Sequence, residues 1–221
     1  IHLIGDLFIL QKPPEHNYYK MEYEILNNIN PSLIIFSGKF LKQSIVDMIS
    51  NIKHSSVILN TPLTEHIKIN KINNNTDKIR LIFSTNFTSI NQKHHRNLNE
   101  VFKLLTQDKR IEIFVYYTKN SEIYIKEYTK QPNIHFMGTI DLDKMIYKFS
   151  EYDIGVIYFE DIYEDKNYIN LSEPNKMYEY YFAQLPIICN NSLSFNENIV
   201  QTNIGISLDL RNEQNLYSNL Y

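Results

Sequence analysis

The sequence predicts an α/β fold built on parallel strands. Short apolar runs rich in Ile, Val, Phe and Tyr recur along the chain, and between them lie helix-length stretches whose apolar residues are spaced by three and four. Strands buried on both faces read as unbroken apolar runs, and their alternation with amphipathic helices argues for a parallel sheet covered on both sides. A break in this pattern over Thr61 to Lys78 divides the chain in two.

In the first part the strand-like runs are Ile1 to Gly5, Ser32 to Ser37 and Ser56 to Asn60, with a helix-length stretch in each gap. Three strands are too few for an independent doubly wound sheet, so residues 1–62 are expected to be the back part of a Rossmann-like domain. Residues 63–77, with the run Asn73-Asn74-Asn75 and no apolar period, read as the connection. Residues 78–221 then form a second Rossmann-like unit. Its strands are Ile79 to Ser84, Ile111 to Tyr117, Ile134 to Met137, Ile154 to Phe159, Pro186 to Asn190 and Gly205 to Leu208. Leu98, Val101, Phe102 and Leu105 mark one of its helices, and Met145, Ile146 and Phe149 another. Ile1 already lies inside a strand pattern and Leu216 to Tyr221 stops in mid-pattern, so a fragment cut at both ends is expected.

Composition narrows the function classes. The chain of 221 residues is 43% hydrophobic, enough for a real core. Its net charge of -3, with scattered Lys and Arg, supplies no field for a nucleic acid backbone. The lone Cys189 excludes an internal disulfide framework and a cysteine-ligated zinc site, and within Pro186-Ile187-Ile188-Cys189 it reads as a core residue. No apolar run approaches the about 20 residues of a spanning helix, so the chain is expected to be soluble, in a reducing, cytoplasmic compartment. Seventeen tyrosines, no tryptophan and five glycines look like codon bias more than chemistry.

Chemistry concentrates after the strand at Ile154. A long polar stretch, Glu160 to Glu173, carries Asp161, Glu164, Asp165, Lys166 and Asn167 and is expected to be irregular; beyond the carboxyl end of a strand it stands where ligands bind in open α/β sheets, or is a solvated insertion. Glu173 and Pro174 then open a helix, the acid as a cap and the proline in the first turn, where its missing N–H costs nothing. Backbone N–H groups at such an end favour anions such as a diphosphate. Glu179 follows on that helix. A carboxylate is acceptor-only and suits the vicinal hydroxyls of a ribose, but Tyr178, Phe182 and Leu185 at helical spacing could equally leave Glu179 on a solvated face.

The run Pro174-Asn175-Lys176-Met177-Tyr178-Glu179-Tyr180, followed by Phe182-Ala183-Gln184-Leu185-Pro186-Ile187-Ile188, resembles the Pro-x-Lys-x-aromatic-Glu-Tyr-(apolar)-Ala-x-x-Pro-Val-Ile stretch of bacterial glycosyltransferases of the GT-B fold, family-4-like. Upstream, Asn133-Ile134-His135-Phe136-Met137-Gly138 is similar to that family's strand-then-glycine element. Tyr152-Asp153-Ile154-Gly155-Val156-Ile157-Tyr158 is similar to its aspartate-led strand. Asn203-Ile204-Gly205-Ile206 stands at its late glycine turn. The likeness covers most of Lys78 to Leu210 and is weaker from Ile1 to Pro62, where Asp6 follows an apolar strand.

The resemblance implies transfer of a sugar from a nucleoside diphosphate sugar, UDP- or GDP-linked, to a glycan or lipid-linked acceptor in surface polysaccharide assembly. It places the donor on the second unit and the acceptor mainly on the first, with room for peripheral membrane contact through an absent amino-terminal part. It implies that Glu179 holds the ribose, that Asn175 and Pro174 lie at the helix end near the phosphates, and that Lys176 is the catalytic cation, with no cofactor or metal. Met137 and Gly138 would contact the nucleobase through the backbone. Two departures stand out. Leu171 occupies the place where many relatives carry a glutamate, so Glu173 would have to substitute, and Ser84-Thr85-Asn86-Phe87-Thr88-Ser89 replaces the usual glycine-rich turn.

The basic run Lys93-His94-His95-Arg96, just after the first strand of this unit, could reach the diphosphate, but it is expected to be mostly solvated, because neighbouring residues point in different directions, and His94 and His95 cannot converge on a metal. Two other readings are a nucleotide- or sugar-binding module without chemistry, and a sugar-nucleotide epimerase. An epimerase would need more converging acids and histidines than His66 and His135 offer.

Overall fold

A computed structural model describes residues 2–4, 14–28, 33–59, 61, 69, 77–128, 130–160 and 166–210. Most of the expected connection lies outside these residues, as do Asp6, His66, Asp161, Glu164 and Asp165. The chain packs as two units, one comprising residues 1–61, 161–174 and 192–194 and the other residues 62–160, 175–191 and 195–221. None of the described helices is long and apolar enough to cross a membrane.

The first unit holds β1 (His2–Ile4), α1 (Asn17–Asn28), β2 (Ile34–Phe36), α2 (Lys39–Met48) and β3 (Ser55–Val57), with the strands parallel in the order β1-β2-β3. Leu41, Ile45 and Ile49 recur every four residues and so share one side of α2 and its end, where they bury against Leu26, Ile34 and Phe36. The polar stretch expected to be irregular contains a short helix, Lys166–Leu171, because its Tyr168 and Leu171 find cover on this same core. The amino end of α2 is met by Glu173, whose carboxylate accepts the Lys39 N–H at 3.1 Å. Gly38 permits that approach, since a Cβ there would lie 2.8 Å from the Glu173 carboxyl carbon.

The second unit holds β4 (Ile79–Thr85), α3 (Asn99–Leu105), β5 (Ile111–Tyr117), a 3-10 segment (Lys119–Glu127), β6 (Ile134–Gly138), α4 (Leu142–Phe149) and β7 (Ile154–Ile157). With Lys166–Leu171 counted as α5, there follow α6 (Asn175–Phe182), β8 (Ile187–Cys189), a π-helical turn (Asn196–Val200) and β9 (Gly205–Ser207). Its six parallel strands run in the order β6-β5-β4-β7-β8-β9. Strand order therefore reverses between β4 and β7, and open α/β sheets bind ligands outside the carboxyl ends of strands at such a switch point.

Both faces of this sheet are covered, as the unbroken apolar strands require. On one face Leu81, Phe83, Ile113, Val115 and Val156 pack with Val101, Phe102 and Leu105 of α3. On the other, the rings of Tyr116, Phe149 and Tyr180 stand 5.5 to 5.6 Å apart in sequence, linking β5, α4 and α6. Asp153 ties β7 to β4, receiving the Arg80 N–H at 2.7 Å and the Arg80 guanidinium at 3.0 and 3.3 Å. Helix α6 ends in a Schellman closure: the Leu185 N–H reaches the Tyr180 carbonyl, the Gln184 N–H reaches that of Tyr181, and Gln184 takes φ 59°.

Candidate functional site

The candidate site is built from the start of α6 and from the loops that leave the carboxyl ends of β4 and β7. Helix α6 buries Met177 and Tyr180, one turn apart, against the sheet. Lys176 and Glu179, each one position earlier, share the neighbouring stripe and are half-buried. The Lys176 ammonium stands 5.4 Å from the centre of the Phe159 ring, just past β7.

The loop from β4 to α3 brings the third charge, and it is held at several points. Phe87 inserts among Phe102, Tyr117, Tyr128 and Phe136, with its ring 4.4 Å from that of Tyr128. The Glu127 carboxylate accepts the Ser89 hydroxyl at 2.6 Å and the Ile90 N–H at 3.2 Å. The Asn97 amide donates to the carbonyls of Ile90 and Gln92. His95 is buried edge-on to Phe159, and its carbonyl accepts the Glu160 N–H at 2.7 Å. Across the sheet edge, Asn190 after β8 clasps the backbone of Phe159, accepting its N–H and donating to its carbonyl.

Arg96 emerges from this anchored loop beside Lys176. Burial, and then the nearby Arg96 charge, push the Lys176 ammonium down to about 8, against an opposing pull from Glu179. Burial raises the Glu179 carboxyl above its usual range, and the Lys176 charge limits that rise. Among the described residues neither Arg96 nor Lys176 forms an ion pair. Lys176 thus feels a second cation, Arg96, on one hand and the Glu179 carboxylate on the other in a partly dehydrated place, and a polyanion would relieve the repulsion between the two cations.

The other residues singled out in the sequence are placed as follows. Asn175 is the first residue of α6 and is exposed, and Pro174 immediately precedes it. Glu173 belongs to the first unit, at the start of α2. Met137 and Gly138 close β6 at the same carboxyl edge of the sheet, Met137 exposed and Gly138 at φ 84° with open space around its α-carbon. His94 and His95 have adjacent rings, and among the described residues no group of three His, Cys, Asp or Glu is placed to hold a metal. Arg96 departs from the expectation of a mostly solvated run, because the buried His95 next to it fixes the loop. Phe159 is signalled in the sequence only by its aromatic type at the end of an apolar run, and Tyr180 by its place in the family-like motif, which does not reveal where its hydroxyl goes. A cavity of about 640 Å³ lined by Tyr181, Leu185, Pro186 and Asn203 opens at the amino ends of β8 and β9, away from these charges.

Comparison with known proteins agrees with this architecture. The family described as glucosyltransferase 3-like, C-terminal domain, matches residues 83–217. No curated protein matches the sequence. Among solved structures, HepE of Anabaena in complex with UDP-glucose superposes with a TM-score of 0.66 at 10% identity, over 98% of this chain and 61% of that one. The GtfA/B complex gives 0.55 at 14% identity over 87% and 37%. A glycosyltransferase from Rickettsia africae gives 0.54 at 16% identity over 93% and 56%. The chain thus spans between 37% and 61% of the length of these structures, and at such identities they establish the fold, which is of GT-B type. With more than half of its length matched, the chain belongs to the glucosyltransferase 3-like family, of which residues 83–217 carry the carboxy-terminal domain.

Proposed function

We propose that the second unit binds a nucleoside diphosphate sugar, and that the whole protein is a glycosyltransferase passing this sugar to a glycan or lipid-linked acceptor in surface polysaccharide assembly, on the cytoplasmic side. The observation that carries the reading is the cluster of Arg96, Lys176 and Glu179 at the point where strand order reverses. The UDP-glucose bound in HepE, a protein of the same fold, supports it.

In this reading Arg96, Lys176 and the first N–H groups of α6 receive the diphosphate, while Glu179 accepts the two ribose hydroxyls. Met137 and Gly138 offer backbone groups to the base. Transfer breaks the bond between the anomeric carbon and the β-phosphate oxygen, whose electrons stay with the phosphate. An acceptor hydroxyl oxygen bonds to that carbon, and its proton passes to the departing diphosphate. The protein's contribution is to meet the charge that grows on the departing diphosphate with cations already in place. Compensating charge then comes from Arg96 and Lys176 in place of a bound divalent ion.

Calorimetry with UDP and GDP tests the reading: one of them binds, and Glu179→Ala weakens it by about tenfold or more, the size expected for two hydroxyl contacts to a charged group. Unchanged affinity in Glu179→Ala would count heavily against it. One observation favours a second reading, a binding module without transfer: by the family resemblance Leu171 stands where many relatives carry a glutamate, and the Glu173 carboxylate that would have to substitute is engaged at the Lys39 N–H. Release of nucleoside diphosphate from UDP- or GDP-sugars by the full-length protein separates the two.

A further inference from the structure

Tyr180 is fully buried, although a phenylalanine would fill the same space without a hydroxyl to satisfy. Its hydroxyl accepts the Ser84 N–H at 2.9 Å and donates to the Ile82 carbonyl at 3.3 Å. Ser84 lies one residue beyond Phe83, where the pairing of β4 with β7 ends at Val156. Residues 80, 82 and 84 share one phase of the strand, and the Asp153 N–H reaching the Arg80 carbonyl shows that this phase faces β7. The phenol therefore stands where the next β7 residue would otherwise pair.

The route of the ring is equally specific. A Cβ on residue 155 would lie 2.5 Å from two atoms of the Tyr180 ring, so the ring crosses β7 at the one residue without a side chain. Tyr180 is thus a strut from α6, over β7, to the end of β4. Burial, and then the Glu179 charge, raise the phenol, which stays neutral and can donate and accept at once. Glu179 is its neighbour in the chain, and Lys176 lies one turn earlier on the helix.

We infer that Tyr180 is a positioning residue for the anion site, its hydroxyl fixing how far α6 carries Lys176 and Glu179 beyond the edge of the sheet and how they face the loop that bears Arg96. The inference rests on the nucleotide-binding reading above. It adds that recognition depends on a hydroxyl that touches no ligand.

The test compares wild type, Tyr180→Phe and Gly155→Ala for binding of UDP and GDP by calorimetry and for thermal unfolding. Tyr180→Phe keeps the ring, so it is expected to fold with a lowered melting temperature and to bind the preferred nucleotide about tenfold more weakly, the scale of a small misplacement of binding groups. Gly155→Ala leaves the hydroxyl intact and displaces the ring, and is expected to weaken binding similarly. Should either variant fail to fold, amide exchange of the wild type decides: the Ser84 N–H is protected like the sheet interior and exchanges more slowly still with nucleotide bound. A melting temperature lowered with affinity unchanged would reduce Tyr180 to a structural role and overturn the inference, as would rapid exchange at Ser84. Wild type that binds neither nucleotide would overturn the functional reading itself, and this inference with it.

Discussion

Lys176 points its ammonium at the face of Phe159, 5.4 Å from the ring centre, and so carries its charge against an aromatic wall where water would otherwise stand. Its lowered pKa of about 8 makes this charge titrate in an accessible range. At neutral pH the ammonium is mostly present, and above about 8 the free protein loses it. A bound diphosphate favours the charged form, so binding takes up a proton. Affinity for UDP or GDP is therefore expected to fall by up to about tenfold per pH unit above that point. Calorimetry in buffers of different ionisation enthalpy measures the proton uptake directly.

The same group has a signature in stability. Lys176 holds its proton less tightly in the folded chain than at its ordinary value of 10.5, so between about 8 and 10.5 the unfolded chain binds the extra proton. Stability from this group therefore rises with pH across that window and is lowest below it. Lys176→Met should remove this contribution, and urea unfolding at several pH values checks it.

Arg96→Ala removes one of the two cations. Binding of nucleoside diphosphate should weaken by about tenfold or more, the range of a hydrogen bond between charged groups. Because Arg96 helps depress Lys176, the pH midpoint of binding should also move upward. A midpoint that stays in place would show that the two charges do not sense each other.

Glu173→Gln separates two roles for one carboxylate. Loss of the charge that receives the Lys39 N–H should lower the stability of the first unit by about 1 kcal/mol, as for other helix caps. If Glu173 also meets a donor sugar, UDP-sugar binding weakens while UDP binding does not. Calorimetry with both ligands reads the difference.

Asp153→Ala tests the tie between β4 and β7. The Asp153 carboxylate receives the Arg80 backbone and guanidinium, yet its side chain is 38% exposed, so solvent screening tempers the effect. A loss of about 1 to 2 kcal/mol is expected in urea unfolding of the second unit.

What could be read from the sequence follows from which interactions are local. The strand Ile111–Tyr117 was legible because a central parallel strand is apolar on both faces, and the helix at Leu142 because its apolar residues keep helical spacing. Helix Lys166–Leu171 was not, since only the core it packs on distinguishes Tyr168 and Leu171 from loop residues. Glu179 and Lys176 could be singled out by family likeness, being neighbours in one motif. Arg96 could be named only together with its basic run, because its companion lies on a distant helix, and the Tyr180 hydroxyl finds its partner on Ser84, 96 residues away. Short motifs show what one element presents; they leave out what another element brings to meet it.

The membership of residues 161–174 in the first unit has a practical edge. Order along the gene and order of packing diverge, so no single cut in the chain divides it into its two bodies. A recombinant piece begun at Asp77 would keep Tyr168 and Leu171 while discarding Phe36 and Ile45, the residues of the core they cover, and would bare an oily strip directly ahead of the helix that bears Lys176.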